Sequence, residues 1–295
     1  MKSDQLSKTA AYIAIKFYGI TLTEPYRSLF DRDTLLFYDR LVANLPSPLH
    51  KYHTYLKNRW LRKCLMSLDE LFLPGDLMHI VTRKYYIASM IEELTSHNYY
   101  QMIVLGSGFD HLGKTYAEKG LQCIELDVPR MAHIKQQFLE LYNYNNEYLT
   151  IYPAHFSGSK FEELLNKIPS LDTQQKTIIV AEGFFDYLTL KELESILADI
   201  SNHFEKEVIL ISTVFNLEEL SRFRSLVFRS AVYAVGEKLK LHCTIQEFAQ
   251  ILEGLDFGID ELLSGKSMKN DLLNETDTEI PILPGFYLLK AEIKL

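Results

Sequence analysis

Cysteine is scarce. The 295 residues hold three, Cys64, Cys123 and Cys243, far apart and odd in number. That excludes a disulfide framework and a paired-cysteine metal site, and reduced thiols in a cytoplasmic setting are expected. Long apolar runs are missing as well: nothing approaches the roughly 18 residues that a spanning helix needs. Residues 1–10 carry Lys2, Asp4 and Lys8 without an apolar core, so no secretory leader is expected either. Basic charge is in deficit, with 31 Lys and Arg against 39 Asp and Glu and a net charge of −8, which disfavours nucleic acid or an anionic membrane as a general partner. What is present is globular: 47% hydrophobic and 24% charged residues exclude a disordered or fibrous chain and suffice for a sizeable core.

From residue 6 to about 73 the apolar spacing is helical, with breaks at Pro25, Pro46, Pro48 and Pro74, and no strand is expected there. A helix over 83–96 then leads to the apolar run 102–105, which reads as a buried strand. Strands near 102–105, 122–126, 149–152, 177–181 and 207–212 alternate with helices near 111–119, 130–141, 159–167, 190–203 and 217–228. That order predicts an α/β fold, a Rossmann-like doubly wound, mostly parallel sheet with helices on both faces. One more strand is expected at 286–293. The reading divides the chain into an N-terminal helical cap (1–79) and a second domain (80–295) with an inserted, partly helical segment around 216–282. The polar stretch 266–279 reads as a flexible surface loop.

The most informative segment joins the first strand to a helix through Gly106-Ser107-Gly108. Glycine permits a sharp turn and lets a ligand approach the backbone. In a doubly wound sheet such a turn lies at the carboxyl edge, where nucleotides bind. A dinucleotide fingerprint needs a third glycine or alanine, and His111 stands in that slot, which argues against a nicotinamide- or flavin-dependent oxidoreductase. The second strand ends at Asp127, a carboxylate placed to accept from a ribose diol. Loop and acid together point to an adenosine-containing ligand.

Four segments, Arg83-Lys84-Tyr85-Tyr86, Leu105-Gly106-Ser107-Gly108-Phe109-Asp110, Glu125-Leu126-Asp127-Val128-Pro129 and Ala181-Glu182-Gly183-Phe184-Phe185-Asp186-Tyr187-Leu188, resemble in order and spacing the leucine carboxyl methyltransferase family. This family falls within the class I S-adenosylmethionine (SAM)-dependent methyltransferases. The resemblance implies SAM as cofactor and S-adenosylhomocysteine as product. It implies that Arg83 holds the SAM carboxylate and that Gly106, Ser107 and Gly108 let the methionine portion approach. Asp127 and Val128 would stand at the ribose, Glu182 at the amino group, and Lys8 would reach the carboxylate from the N-terminal helix. The chain departs from the family at Pro153-Ala154-His155-Phe156, where an acidic residue followed by leucine is usual near the adenine; His155 is expected to hydrogen-bond the ring in its place and Phe156 to pack on it. His111 stands where the family often has threonine.

A carboxylate acceptor is already ionised and needs no base, whereas an alcohol or phenol would benefit from one. His155 and His111 are the candidate bases, and Tyr187 is the residue expected to orient the acceptor. The aromatics Tyr12, Phe17, Tyr18, Tyr26 and Phe30 are expected to cap the site. The basic, aromatic stretch from Lys51 to Lys63 reads as a solvated helix face with Trp60 docked on the core, in preference to a local RNA contact. The favoured function is methyl transfer to the carboxylate of a small acid or a peptide end. The alternative is a noncatalytic SAM-binding or interaction protein. Oligomeric state is left open.

Overall fold

The computed structural model describes residues 6–156, 161–234, 236–276 and 281–293. Five helices come first: α1 (Lys8–Thr21), α2 (Arg32–Ala43), α3 (Lys51–Lys57), α4 (Arg59–Phe72) and α5 (Asp76–Ser96). Their starts are written in the sequence. Ser7 accepts the Ala10 amide of α1 at 3.1 Å and Asp31 the Thr34 amide of α2 at 2.6 Å, the side-chain caps that an unsatisfied first turn requires. Before α5, Gly75 adopts φ +90°, and a Cβ there would lie 2.3 Å from the Ile282 and Leu283 backbone, so only glycine lets the two segments touch.

The remainder alternates strand and helix: β1 (Gln101–Leu105), α6 (Leu112–Ala117), β2 (Gln122–Asp127), α7 (Pro129–Leu141), β3 (Leu149–Pro153), α8 (Phe161–Leu165), β4 (Thr177–Ala181), α9 (Leu190–His203), β5 (Val208–Phe215), α10 (Arg222–Ala234), α11 (Ile245–Glu253), β6 (Phe257–Ser264), α12 (Gly265–Thr276) and β7 (Phe286–Ile293). One seven-stranded sheet results, in the order β3-β2-β1-β4-β5-β7-β6. The first five strands pair in parallel, and β7 runs antiparallel to both β5 and β6. The central strands β1 and β4 are buried along their whole length, as a sheet covered on both faces demands. One core layer packs α9 and α11 against the sheet, and another packs α5 and α6 on its opposite face.

The doubly wound sheet expected from the alternation is present, and local expectations are corrected. β6 falls within the segment expected to be an insertion. Its apolar pattern is broken where the register shifts between Ile259 and Glu261, which hides the strand's period. The polar stretch expected as a loop is helical from 265 to 276, because Met268 and Leu272 turn inward and are fully buried; its positions 277–279 lie outside the described residues. Of the helix expected near 159–167, positions 159 and 160 also lie outside them, and α8 spans the middle. Trp60 is 71% exposed rather than docked, since the inner face of α4 is supplied by Leu65 and Met66. The division drawn at 79/80 falls within α5, which runs unbroken from the cap to the sheet.

Candidate active site

At the carboxyl edge, β1 turns sharply. Gly106 and Gly108 take φ +62° and +50°, and the amides of Gly106 and Ser107 donate to the Leu126 carbonyl at 2.8 and 3.2 Å. A Cβ on Gly106 would stand 2.7 Å from the Phe184 ring. At the end of β2, Asp127 accepts the Gly108 amide at 2.6 Å and the Val128 amide at 2.7 Å. Burial lifts the Asp127 carboxyl to about 6 despite those two bonds. Each carboxylate oxygen keeps a lone pair for a further donor.

From α5, Arg83 and Lys84 reach the first residue after β4, Glu182. Arg83 Nε lies 2.7 Å from Glu182 Oε1 and Lys84 Nζ 3.4 Å from Glu182 Oε2; Lys84 also pairs with Asp110. All four side chains are nine-tenths or more buried. Burial alone would lower the Lys84 ammonium's pKa, but Asp110 and Glu182 hold it above the ordinary lysine value. One turn back on α5, His79 Nε2 accepts from Arg83 Nη1 at 3.2 Å, so its Nδ1 carries the proton and faces the Asp76 carbonyl at 2.9 Å. Burial lowers the His79 pKa, leaving it neutral. Asp76 pairs in turn with Lys16 of α1 at 2.5 Å, which closes a buried polar chain from the cap to the glycine loop.

One cavity gathers these groups. Thr9, Ala10, Arg83, Gly106, Gly108, Asp127 and Glu182 line it together with Asp186, Tyr187, Phe215, Phe228 and Glu237. Ser107 is buried and lines a smaller adjoining recess with Lys84 and Asp110. The remaining expectations fare differently. Val128 is buried against the cap and meets Asp127 through its amide only. Lys8 is exposed and outside the cavity lining; Thr9 and Ala10, on the inward face of α1, stand there instead. His155 is exposed and also outside the lining, because the chain leaves the sheet after Pro153. His111 is buried beside Asp110 and Tyr38, away from the cavity. The aromatics expected to cap the site do not line it: Phe17, Tyr18 and Tyr26 are core residues, and α1 presents Thr9, Ala10, Ile13 and Lys16. Lys84, Asp110, His79, Asp186 and Glu237 carry no role in the sequence reading. A signal existed for one group, since Asp76, His79 and Arg83 recur at helical spacing among the apolar Leu77, Met78, Ile80 and Val81 at the start of α5.

The residues fit a SAM-like ligand on an observation internal to the structure. Arg83 Nε and Glu182 Oε1 are buried yet make no hydrogen bond, despite lying within ion-pair distance. An ion pair whose facing atoms are not aligned for a hydrogen bond leaves a buried cationic donor and a buried anionic acceptor that match the carboxylate and ammonium of an amino-acid end. The open lone pairs of Asp127 match a ribose diol.

The fold also matches solved structures. A DUF574 family protein from Streptomyces avermitilis aligns with a TM-score of 0.60 at 11% identity, over 79% of this chain and 91% of that one. A putative methyltransferase from Thermobifida fusca aligns with a TM-score of 0.58 at 13% identity, over 88% and 94%. A search of curated protein sequences finds no match. The leucine carboxyl methyltransferase family model matches residues 24–201. Fold, site and family match define a SAM-dependent methyltransferase. Within that class, the chain belongs to the leucine carboxyl methyltransferase family.

Proposed function

We propose that the chain methylates a carboxylate oxygen, with SAM held at the glycine-loop end of the cavity and the acceptor at the other. The buried Arg83 and Glu182 ion pair, whose facing atoms make no hydrogen bond, carries the assignment of the methionine end. Asp127 would take the ribose hydroxyls, and the positive-φ glycines would let the backbone approach. Bound SAM supplies a sulfonium methyl, and its transfer forms a C–O bond, breaks the S–CH3 bond, leaves the electron pair on sulfur and moves no proton.

The protein's part is to orient, neutralise and exclude water. Among the described lining residues His79 is the one imidazole, and the Arg83 contact occupies its acceptor nitrogen. A reaction that needs no imidazole base suits this arrangement, which favours an ionised acid over an alcohol. Burial, with Glu237 and Asp186 adding to it, raises the Tyr187 pKa and keeps its hydroxyl protonated. Tyr187 would thus orient the acceptor as a hydrogen-bond donor. Transfer of label from methyl-labelled SAM to a panel of carboxylic acids, with base-labile product, is the expected result. SAM binding without transfer to any acid would return the noncatalytic reading instead.

A further inference from the structure

The cavity is short of positive charge. Five carboxylates line it, Asp76, Asp127, Glu182, Asp186 and Glu237, against two fixed cations, Lys16 and Arg83. His79 is neutral, and Lys84 is balanced by Asp110 behind the wall. SAM brings a single net positive charge, so the loaded cavity still carries an excess of negative charge. A plain carboxylate would add to that excess.

The uncompensated charge has a location. Asp76 pairs with Lys16 and Glu182 with Arg83, whereas Asp186 and Glu237 form no ion pair among the described residues. Asp186 accepts the Phe215 amide at 3.2 Å, and its carbonyl takes the amides of Lys240 and Leu241, which ties the segment after α10 to this wall. Glu237, on that segment, accepts from Ser7 Oγ at 2.6 Å. Thr9 Oγ1, buried in the same cavity's wall, has no hydrogen-bond partner. Phe215 and Phe228 stack at 4.7 Å beside them and make the apolar part of the surface.

We propose that this end of the cavity receives an acceptor bearing a protonated amine, held by Asp186 and Glu237, together with an apolar body and the carboxylate that takes the methyl group. The inference rests on the methyltransferase reading above. It also accounts for selectivity: an ammonium held between carboxylates has no lone pair, so the methyl goes to the carboxylate oxygen. Burial lifts the Asp186 carboxyl to about 6, which leaves it ionised at neutral pH and favours a cation beside it.

Calorimetric titration of the S-adenosylhomocysteine-loaded protein with 2-phenylethylammonium and with 3-phenylpropionate tests this. The amine should bind about tenfold more tightly than the acid, and Asp186→Asn should lower its affinity by about tenfold or more, the loss of a charge-assisted bond. Glu237→Gln should do the same in part, which covers the case of a misfolded Asp186 variant. Equal or tighter binding of the acid, no binding of the amine, or amine affinity unchanged in both folded variants would overturn the proposal. Failure of SAM or S-adenosylhomocysteine to bind at all would instead remove the methyltransferase reading beneath it.

Discussion

Arg83 is the residue whose loss should be felt first. It is buried, faces Glu182 and holds His79 in one tautomer, so Arg83→Ala should weaken SAM binding by about 1.5–3 kcal/mol in calorimetric titration, the worth of a hydrogen bond to a charged group. Unchanged affinity in a folded variant would remove Arg83 from the cofactor site. Asp127 should give binding a pH dependence. Burial raises its carboxyl from 3.8 to about 6. A folded-state value above the unfolded one means that the group stabilises the empty fold fully below pH 3.8 and that this contribution is lost as pH rises through 6. A ribose diol donates to the ionised form, so SAM affinity should hold above pH 6, decline below it, and be accompanied by proton release near pH 6. Asp127→Asn should bind more weakly and with a flat profile. Titrations in buffers of different ionisation enthalpy measure both, and a wild-type affinity constant from pH 5 to 8 would contradict the assignment.

At the scale of elements, α12 separates a loop from a structural helix. Leu272 is 1% exposed and packs with Leu77, Met78 and Val81 of α5. Leu272→Ala should therefore cost about 2–5 kcal/mol in denaturant unfolding, the range for a core leucine, whereas a surface loop would tolerate the change. The same packing explains why composition misleads there: two inward apolar side chains, Met268 and Leu272, are enough to seat a helix whose other residues from Lys266 to Asp271 are polar. Element β6 is obscured for a related reason. A register shift in an outer strand destroys the period-two pattern on which strand recognition rests.

For the whole molecule, cap and sheet should melt together. Helix α5 crosses from one to the other, α1 walls the cavity, and the cluster containing Phe17, Phe37 and Tyr38 also takes in Phe109, Val128 and Met131 from the sheet layer. Scanning calorimetry of the full chain should show a single transition, and a fragment starting at residue 80 should lack a cooperative one. Two resolved transitions would mean that the cap folds by itself. The net charge of −8 belongs to this scale too: it is a sum over the whole chain, while the charge that selects a ligand is the local imbalance inside the cavity.

The sequence by itself determined the alternating order of elements, the glycine turn and the acidic end of the second strand, because each depends on a few neighbouring residues and a short period. It also carried the four motif segments by which the family is legible. Tertiary structure decided which of the named residues meet. Lys8, on α1, and His155, just past β3, are exposed, whereas Thr9, Lys84 and Asp186, each next to a residue singled out in the sequence (Lys8, Arg83 and Tyr187), turn inward. Glu237 is 55 residues beyond Glu182 and reaches the cavity only because the Asp186 carbonyl anchors the segment after α10. The charge imbalance of the cavity is likewise a sum over α1, α5, two strand ends and that segment, and it exists only once the fold has brought them into contact.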